Sequence, residues 1–115
     1  MPAIYHLIAR EAWEKARSAP EYRAESLETE GFIHCSQDVE QMLRVANRLY
    51  LGRDDLLALE VDTHRLAAPI KREPSRSREV YPHIYGPLNT DAVVRVYSLP
   101  RGADGGFSTV QGLRG

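Results

Sequence analysis

Three of the four histidines in the chain lie in segments that are otherwise rich in strand-forming residues. His6 stands in the apolar run AIYHLIA, and His34 stands in EGFIHCS, whose middle predicts a buried strand. An imidazole can bind a metal, accept a proton or hydrogen-bond a ligand near neutral pH. Either ring alone is better explained as a neutral histidine satisfied by a carbonyl or hydroxyl group. Because burying two polar rings costs free energy twice unless each finds partners, the two together indicate a site.

Alternation along a strand decides which of these side chains can act together. On the strand that contains His34, the residues Phe32 and Ser36 share its face, whereas Ile33 and Cys35 share the opposite face. In a regular strand His34 and Cys35 therefore point to opposite faces and cannot ligate one metal ion together.

The segment YPHIY carries the third histidine, His83, on one face with Tyr81 and Tyr85. The two tyrosine rings can form a stacking platform for a base or a nicotinamide ring, or they can cover the core and turn their hydroxyls to water; the pattern leaves both open. The fourth histidine, His64, falls in a polar turn and is predicted to be solvated. Glu73, in the segment IKREP, is interpreted as a surface charge.

Other chemistries are less well supported by the spacing. A metal site would have to combine His6, His34 and His83, because the chain offers no His-x-x-x-His or Cys-x-x-Cys spacing, and we predict no metal. Cys35 lies in an apolar strand, where burial raises the pKa of a thiol, and this favours packing over nucleophilic chemistry. Ser36 is interpreted as the N-cap of the following helix rather than as a nucleophile.

Periodicity outlines the elements that must position these residues. We predict strands over 3–9, 32–36, 55–62 and 92–99, a short helix within 10–20 and a helix within 37–52. Residues 21–30 are predicted to form a loop, alone or with one turn of helix, and residues 70–73 an extended segment. Prolines and a glycine in VYPHIYGPL favour an edge or loop position for 80–88. One apolar face of the longer helix is formed by Val39, Met42, Leu43, Ala46, Leu49 and Tyr50. Early helices followed by several strands are typical of an α+β fold.

Length and composition narrow the class of protein. The 115 residues suit a single globular domain, which we place at 1–100, with a flexible Gly-rich tail at 101–115. A net charge of −1 gives no electrostatic signal for nucleic acid, and no apolar run approaches the roughly 20 residues of a membrane helix. The first residues show no secretion-signal pattern, which predicts a cytoplasmic protein. The sequence leaves the oligomeric state open.

Four stretches resemble a known family: IYHLIAREAWEKA, ESLETEGFIHCS, ANRLYLGRDDLLALEVD and YPHIYGPLNTDAVVRV. Together they span roughly 3–99 and are similar to the bacterial domain-of-unknown-function family 952. That resemblance implies an ADP-ribosyltransferase-like core, with two early helices and a mixed, mostly antiparallel strand core. The nearest motifs are those of the two-histidine branch, the tRNA 2′-phosphotransferases. IYHL is similar to their Tyr-His-Gly-Thr, and EGFIHCS is similar to their His-Val-His-Leu-Ser, with His6, His34 and Ser36 in matching positions.

The resemblance implies that His6 and His34 are catalytic and that NAD or a related nucleotide is the ligand. Its cleft would be lined by His6, His34, Ser36, His83 and Tyr85, and the reaction would be ADP-ribosyl or phosphate-directed transfer. Leu7 and Ile8 stand where the relatives have Gly-Thr, and no late-strand glutamate is present in YPHIYGPLNTDAVVRV. These departures favour the alternative, a non-catalytic small-molecule binding or interaction module on the same fold. A third reading is a metal hydrolase that uses three histidines.

Overall fold

The computed structural model describes residues 2–112, which form nine strands, three α-helices and one 3-10 turn. The strands are β1 (Ala3–Ala9), β2 (Glu21–Tyr22), β3 (Ile33–His34), β4 (Leu56–Asp62), β5 (Ile70–Pro74), β6 (Val80–Ile84), β7 (Leu88–Asn89), β8 (Val93–Ser98) and β9 (Gln111–Gly112). The helices are α1 (Arg10–Ala16), α2 (Glu25–Thr29) and α3 (Val39–Leu49), and the 3-10 turn is Thr90–Ala92. The predicted α+β class is confirmed, with all three helices in the first half of the chain.

The strands form three antiparallel sheets of different size. The largest has the order β1-β4-β8-β9, the second has the order β3-β6-β5, and the smallest pairs β2 with β7. Every pairing within residues 2–112 is antiparallel. None of the described helices is long and apolar enough to cross a membrane.

Strand β4 lies at the centre of the fold because its apolar run leaves no face for solvent. All seven of its residues are buried, and apolar cores lie on both sides of it. On one side Leu57 and Leu59 pack in a cluster with Ile33 and Ile84 of the second sheet. On the other side the helix α3 covers the sheet with its fully buried Met42. The largest sheet therefore lies between two apolar clusters, and α3 also reaches the second sheet, where the side-chain amide of Gln41 donates to the carbonyl of Val80 at 3.1 Å.

The segment from Ile33 to Ser36 joins two of the sheets. Its first two residues pair with β6, and the amide N–H of Cys35 donates to the carbonyl of Pro82 at 3.1 Å. Its last residue, Ser36, exchanges two backbone hydrogen bonds with Tyr5 of β1, at 2.8 and 2.7 Å. The predicted strand 32–36 is thus a two-residue strand followed by an isolated bridge.

Strand β6 is the middle strand of its sheet, so the predicted edge or loop position for 80–88 is wrong for 80–84. Proline is disfavoured in central strands because it has no N–H to donate. Pro82 is tolerated because it uses its carbonyl toward Cys35, at the point where the two-residue strand β3 has already ended. The stretch 21–30, predicted as a loop alone or with one turn of helix, contains the five-residue helix α2 and also the two-residue strand β2.

The N-cap of α3 is Asp38 and not Ser36. The Asp38 carboxylate accepts a 2.7 Å hydrogen bond from the amide of Gln41, the third residue of the helix, as an N-cap does. Leu49, predicted on the buried face, is 59% exposed because it lies in the last turn, beyond the sheet that α3 covers.

The segment after Pro100 is held to α3 through Phe107 and to β8 through β9. Phe107 is 4% exposed, and its N–H and C=O both bond the side-chain amide of Asn47, at 2.7 and 2.8 Å. Strand β9 adds to β8, so 92–99 is not the final strand. The mobility expected for 101–115 stays a prediction, and residues 113–115 lie outside the described residues.

Candidate functional site

A cavity of about 540 Å³ opens between the large sheet, the segment Ile33–Ser36, β6 and the C-terminal half of α3. His6, His34, Ser36 and His83 all line it. Tyr85 does not line it, but its ring lies beside that of Phe32, which touches His34 and His83. The strand order therefore brings the three strand histidines to one cavity, which sequence alone could not decide.

His6 is 7% exposed and points to the side of β1 that faces the second sheet, with Ile4 and Ile8. Its Nδ1 lies 2.7 Å from the backbone carbonyl oxygen of His34. Because a carbonyl can only accept, Nδ1 carries the proton in this bond.

Among residues 2–112, Nε2 of His6 is the one buried side-chain nitrogen or oxygen atom that has no hydrogen-bond partner. Burial lowers the pKa of His6 from its ordinary value to about 4. The ring is therefore neutral at pH 7 and offers one lone pair, on Nε2, that no protein group uses. A polar atom in this state indicates that a ligand or an ordered water completes the site.

His34 has two separate roles. Its carbonyl fixes His6, whereas its side chain is 55% exposed and pairs through Nε2 with a Glu30 carboxylate oxygen at 2.8 Å. The expectation of a buried ring at this position is wrong, since Ile33 and Cys35 take the inward face and alternation turns His34 outward. His34 lies at the rim of the cavity rather than in its depth.

His83 is held more tightly. Its Nδ1 lies 2.8 Å from an Oε1 carboxylate oxygen of Glu73, and its side chain is 12% exposed. The same oxygen accepts a hydrogen bond from the Tyr85 hydroxyl. Phe32 stacks on the His83 ring with centroids 4.1 Å apart and planes 17° apart, and His34 meets it edge-on at 5.3 Å.

Glu73 was missed by sequence reasoning, which treated it as a surface charge. The register of β5 against β6 places Lys71 opposite His83 and Glu73 opposite Tyr81, so that their side chains share the outer face of the sheet. The hydrogen bond from Tyr85, and then that from His83, lower the pKa of Glu73. The signal available in the sequence was the shared alternation of IKREP and VYPHIY, which becomes useful only once the two strands are known to pair.

The remaining predicted residues occupy structural positions. Ser36 is buried and its backbone bridges to β1. Cys35 packs in the core, and burial raises the pKa of its thiol, as the sequence analysis expected. Within residues 2–112 no cluster of three or more His, Cys, Asp or Glu side chains could hold a metal ion.

The cavity lining also includes two arginines. Arg48, Tyr50 and Arg53 line it at the C-terminal end of α3. Arg53 makes a bidentate pair with Asp55, at 2.9 and 2.8 Å, whereas Arg48 forms no ion pair with any described residue. The lining thus combines neutral and aromatic groups with a cation, Arg48, that has no ion-pair partner among the described residues.

Comparison with known proteins agrees with this architecture. A family model described as "Protein of unknown function (DUF952)" matches residues 7–96. The X-ray structure of protein CC0527 from Caulobacter crescentus is similar, with a TM-score of 0.81, 31% identity, and coverage of 92% of this chain and 93% of that chain. The solution NMR structure of CC0527 gives a TM-score of 0.79 and 31% identity, with 94% and 93% covered. None of the curated proteins matches the chain.

Proposed function

The chain belongs to the DUF952 family of proteins of unknown function, and from that premise we propose that it binds NAD or a related nucleotide in the cavity lined by its histidines. His6, His34, Ser36, His83 and the neighbouring Tyr85 form the binding site in this proposal. The bound nucleotide undergoes ADP-ribosyl or phosphate-directed transfer, and His6 and His34 are the catalytic pair. The wider relationship to the ADP-ribosyltransferase-like fold is part of the same proposal.

One observation carries the proposal: the unpartnered Nε2 of a buried, neutral His6. Leaving a buried acceptor without a donor costs about 1–3 kcal/mol, a cost that a ligand with an O–H or N–H group removes on binding. The ribose hydroxyls of a nucleotide, or the carboxamide of nicotinamide, supply such donors. The neutral state matters, because a protonated ring would have no lone pair to offer.

The size and lining of the cavity support a nucleotide. Its volume of about 540 Å³ lies within the roughly 300–1,000 Å³ of small-molecule sites. Tyr22 and Tyr81 line the cavity and offer faces for a planar ring, and Tyr22 lies beside His6 with ring centroids 5.7 Å apart. Arg48 supplies a cation that suits a phosphate. NAD, when bound, would supply a glycosidic bond that can be broken in a transfer reaction.

A second candidate function is binding without catalysis. Among the described residues, Glu25 at the start of α2 is the acidic side chain that lines the cavity. A carboxylate near the anomeric carbon is what stabilises an oxocarbenium-like transition state, and the late strands β6 and β8 supply none to the cavity. Nucleotide binding with no release of nicotinamide would favour this candidate.

The test is a titration of ¹⁵N-labelled protein with NAD, followed through backbone amides and histidine ring signals. We expect the signals of His6, His34 and their strands to shift together and saturate. His6→Gln removes the Nε2 acceptor and should weaken binding by about tenfold, as expected for one hydrogen bond to a buried group. His64→Gln, at an exposed turn position, is the matched control. Equal affinity in the two variants, or no shift at millimolar NAD, would contradict the proposal.

A further inference from the structure

We propose that His83 is the proton acceptor of the cavity and that Glu73 positions it, so that the cavity serves a substrate whose hydroxyl group attacks a second, bound molecule. The identity of that second molecule as NAD rests on the proposed function. The roles of His83 and Glu73 rest on the geometry of β5 and β6 and are tested separately below.

The orientation of the His83 ring is fixed on several sides. A carboxylate can only accept a hydrogen bond, so the 2.8 Å contact with Glu73 places the ring proton on Nδ1. Phe32 covers one face of the ring at 4.1 Å, and the edge-on contact with His34 limits its rotation. What remains is a ring with its lone pair on Nε2, as in the histidine–carboxylate pairs of general-base catalysis.

Nε2 of His83 is also accessible. It has no hydrogen-bond partner among residues 2–112 and, unlike Nε2 of His6, it is not fully buried. The ring lines the cavity while being largely covered elsewhere. A hydroxyl group in the cavity can therefore meet an oriented base.

The two other histidines of the cavity are less suited to this role. Burial holds the pKa of His6 near 4, so it is a weak base that accepts hydrogen bonds rather than protons at neutral pH. The His34 side chain is 55% exposed at the rim of the cavity and uses Nε2 for Glu30. His83 alone among the three combines a carboxylate partner, a packed ring and a place in the cavity wall.

The Glu73 carboxylate accepts hydrogen bonds and is not suited to donate a proton. Hydrogen bonds from Tyr85 and His83 converge on one of its oxygens and stabilise the charged form, which lowers its pKa. The Lys71 ammonium group lies 4.6 Å from the centroid of the Tyr85 ring, and its positive charge also lowers the pKa of Glu73. Glu73 therefore stays ionised at neutral pH, holds Nδ1–H and stabilises the imidazolium once His83 has accepted a proton.

The step can be written for transfer to a hydroxyl compound or to water. The hydroxyl oxygen forms a bond to the anomeric carbon of the ribose, and the bond from that carbon to the nicotinamide nitrogen breaks. The bonding electron pair goes to that nitrogen and neutralises its charge. The hydroxyl proton passes to Nε2 of His83. Nicotinamide leaves as a neutral molecule, so atoms and charge balance.

The tautomer of His83 tests the positioning role without any need for activity. Ring ¹⁵N shifts of histidine-labelled protein should show Nδ1–H in the wild type and in Tyr85→Phe, which removes only the other bond to Glu73. Glu73→Ala should convert His83 to the mainly Nε2–H form, which we also expect for the exposed His64. Glu73→Gln, which keeps an acceptor oxygen, should restore Nδ1–H. An Nε2–H form in the wild type, or no change in Glu73→Ala, overturns the assignment.

Release of nicotinamide from NAD tests the proton transfer. We expect His83→Ala to slow release at saturating NAD by about a hundredfold or more, a loss in turnover separate from any loss of NAD affinity, and His64→Ala to leave the rate unchanged. Unchanged release in His83→Ala overturns the role of His83. Binding without turnover in the wild type overturns proton transfer but leaves the nucleotide site standing. If NAD does not bind at all, the proposed function fails, and the tautomer measurement alone then supports or overturns the role of Glu73.

Discussion

Substitution of His6 should change how the stability of the protein depends on pH. The pKa of the buried ring is about 4, whereas the same side chain in the unfolded chain titrates near 6.5. Above pH 6.5 the His6 ring is neutral in both the folded and the unfolded protein, so it contributes no pH dependence to the free energy of unfolding. As the pH falls from 6.5 to 4, the unfolded chain binds a proton that the folded chain does not, so stability is lost across this window.

The size of the effect follows from the two pKa values. One pH unit is worth about 1.4 kcal/mol, so the free energy of unfolding should fall by about 3 kcal/mol between pH 6.5 and pH 4 because of this one ring. Natural domains have roughly 5–15 kcal/mol in total, so the loss is large enough to measure. Below pH 4 both states are protonated and the contribution levels off.

The assay is urea unfolding at a series of pH values, followed by the fluorescence of Trp13, the one tryptophan, which is buried in the core. His6→Gln has no ionisable group at this position and should lack the loss. The carboxylates titrate in both proteins and cancel in the difference, and His64→Gln should follow the wild type. Parallel curves for the wild type and His6→Gln between pH 6.5 and 4 would refute the assignment of a buried neutral ring.

Three further changes test the packing around the large sheet by the same denaturation assay. Tyr97→Phe removes the 2.8 Å hydrogen bond to the buried Glu60 carboxylate and should cost about 1–3 kcal/mol; a cost near zero would mean that water replaces the hydroxyl. Asp38→Ala removes the N-cap that the Gln41 amide uses and should cost about 1 kcal/mol, without a change in m-value. Phe107→Ala should cost about 3–5 kcal/mol, and a loss below 1 kcal/mol would show that the segment after Pro100 does not stay packed in solution.

The long elements could be predicted from the sequence because their patterns are strong. The continuous apolar run of β4 allows no exposed face, and the apolar run of β1 predicts a strand covered on both faces, of which one face is buried and the other half-buried. The helix α3 has a clear apolar stripe, although its cap was placed two residues too early, at Ser36 instead of Asp38. The pattern of residues within a segment was sufficient to predict a strand or helix when that pattern alone determines which faces are buried.

The features that the sequence could not predict depend on contacts between segments that are distant along the chain. Pro82 indicated an edge because the sequence cannot show that its partner strand is only two residues long. Glu73 and His83 lie ten residues apart, and only the pairing of β5 with β6 makes them partners. Phe107 is a lone aromatic residue in a Gly-rich stretch, so no periodicity marks it as part of the core.

The segment Ile33–Ser36 also determines when the site comes into existence during folding. It pairs with Tyr5 near one end of the chain and with His83 far along it. A loop of about thirty residues must close to form the first contact, and a loop of about fifty residues must close to form the second. Neither the first half of the chain nor the second can assemble the three histidines by itself. We therefore expect ligand-binding competence to arise in the last cooperative step of folding, together with protection of the Tyr5 and Ser36 amides from hydrogen exchange.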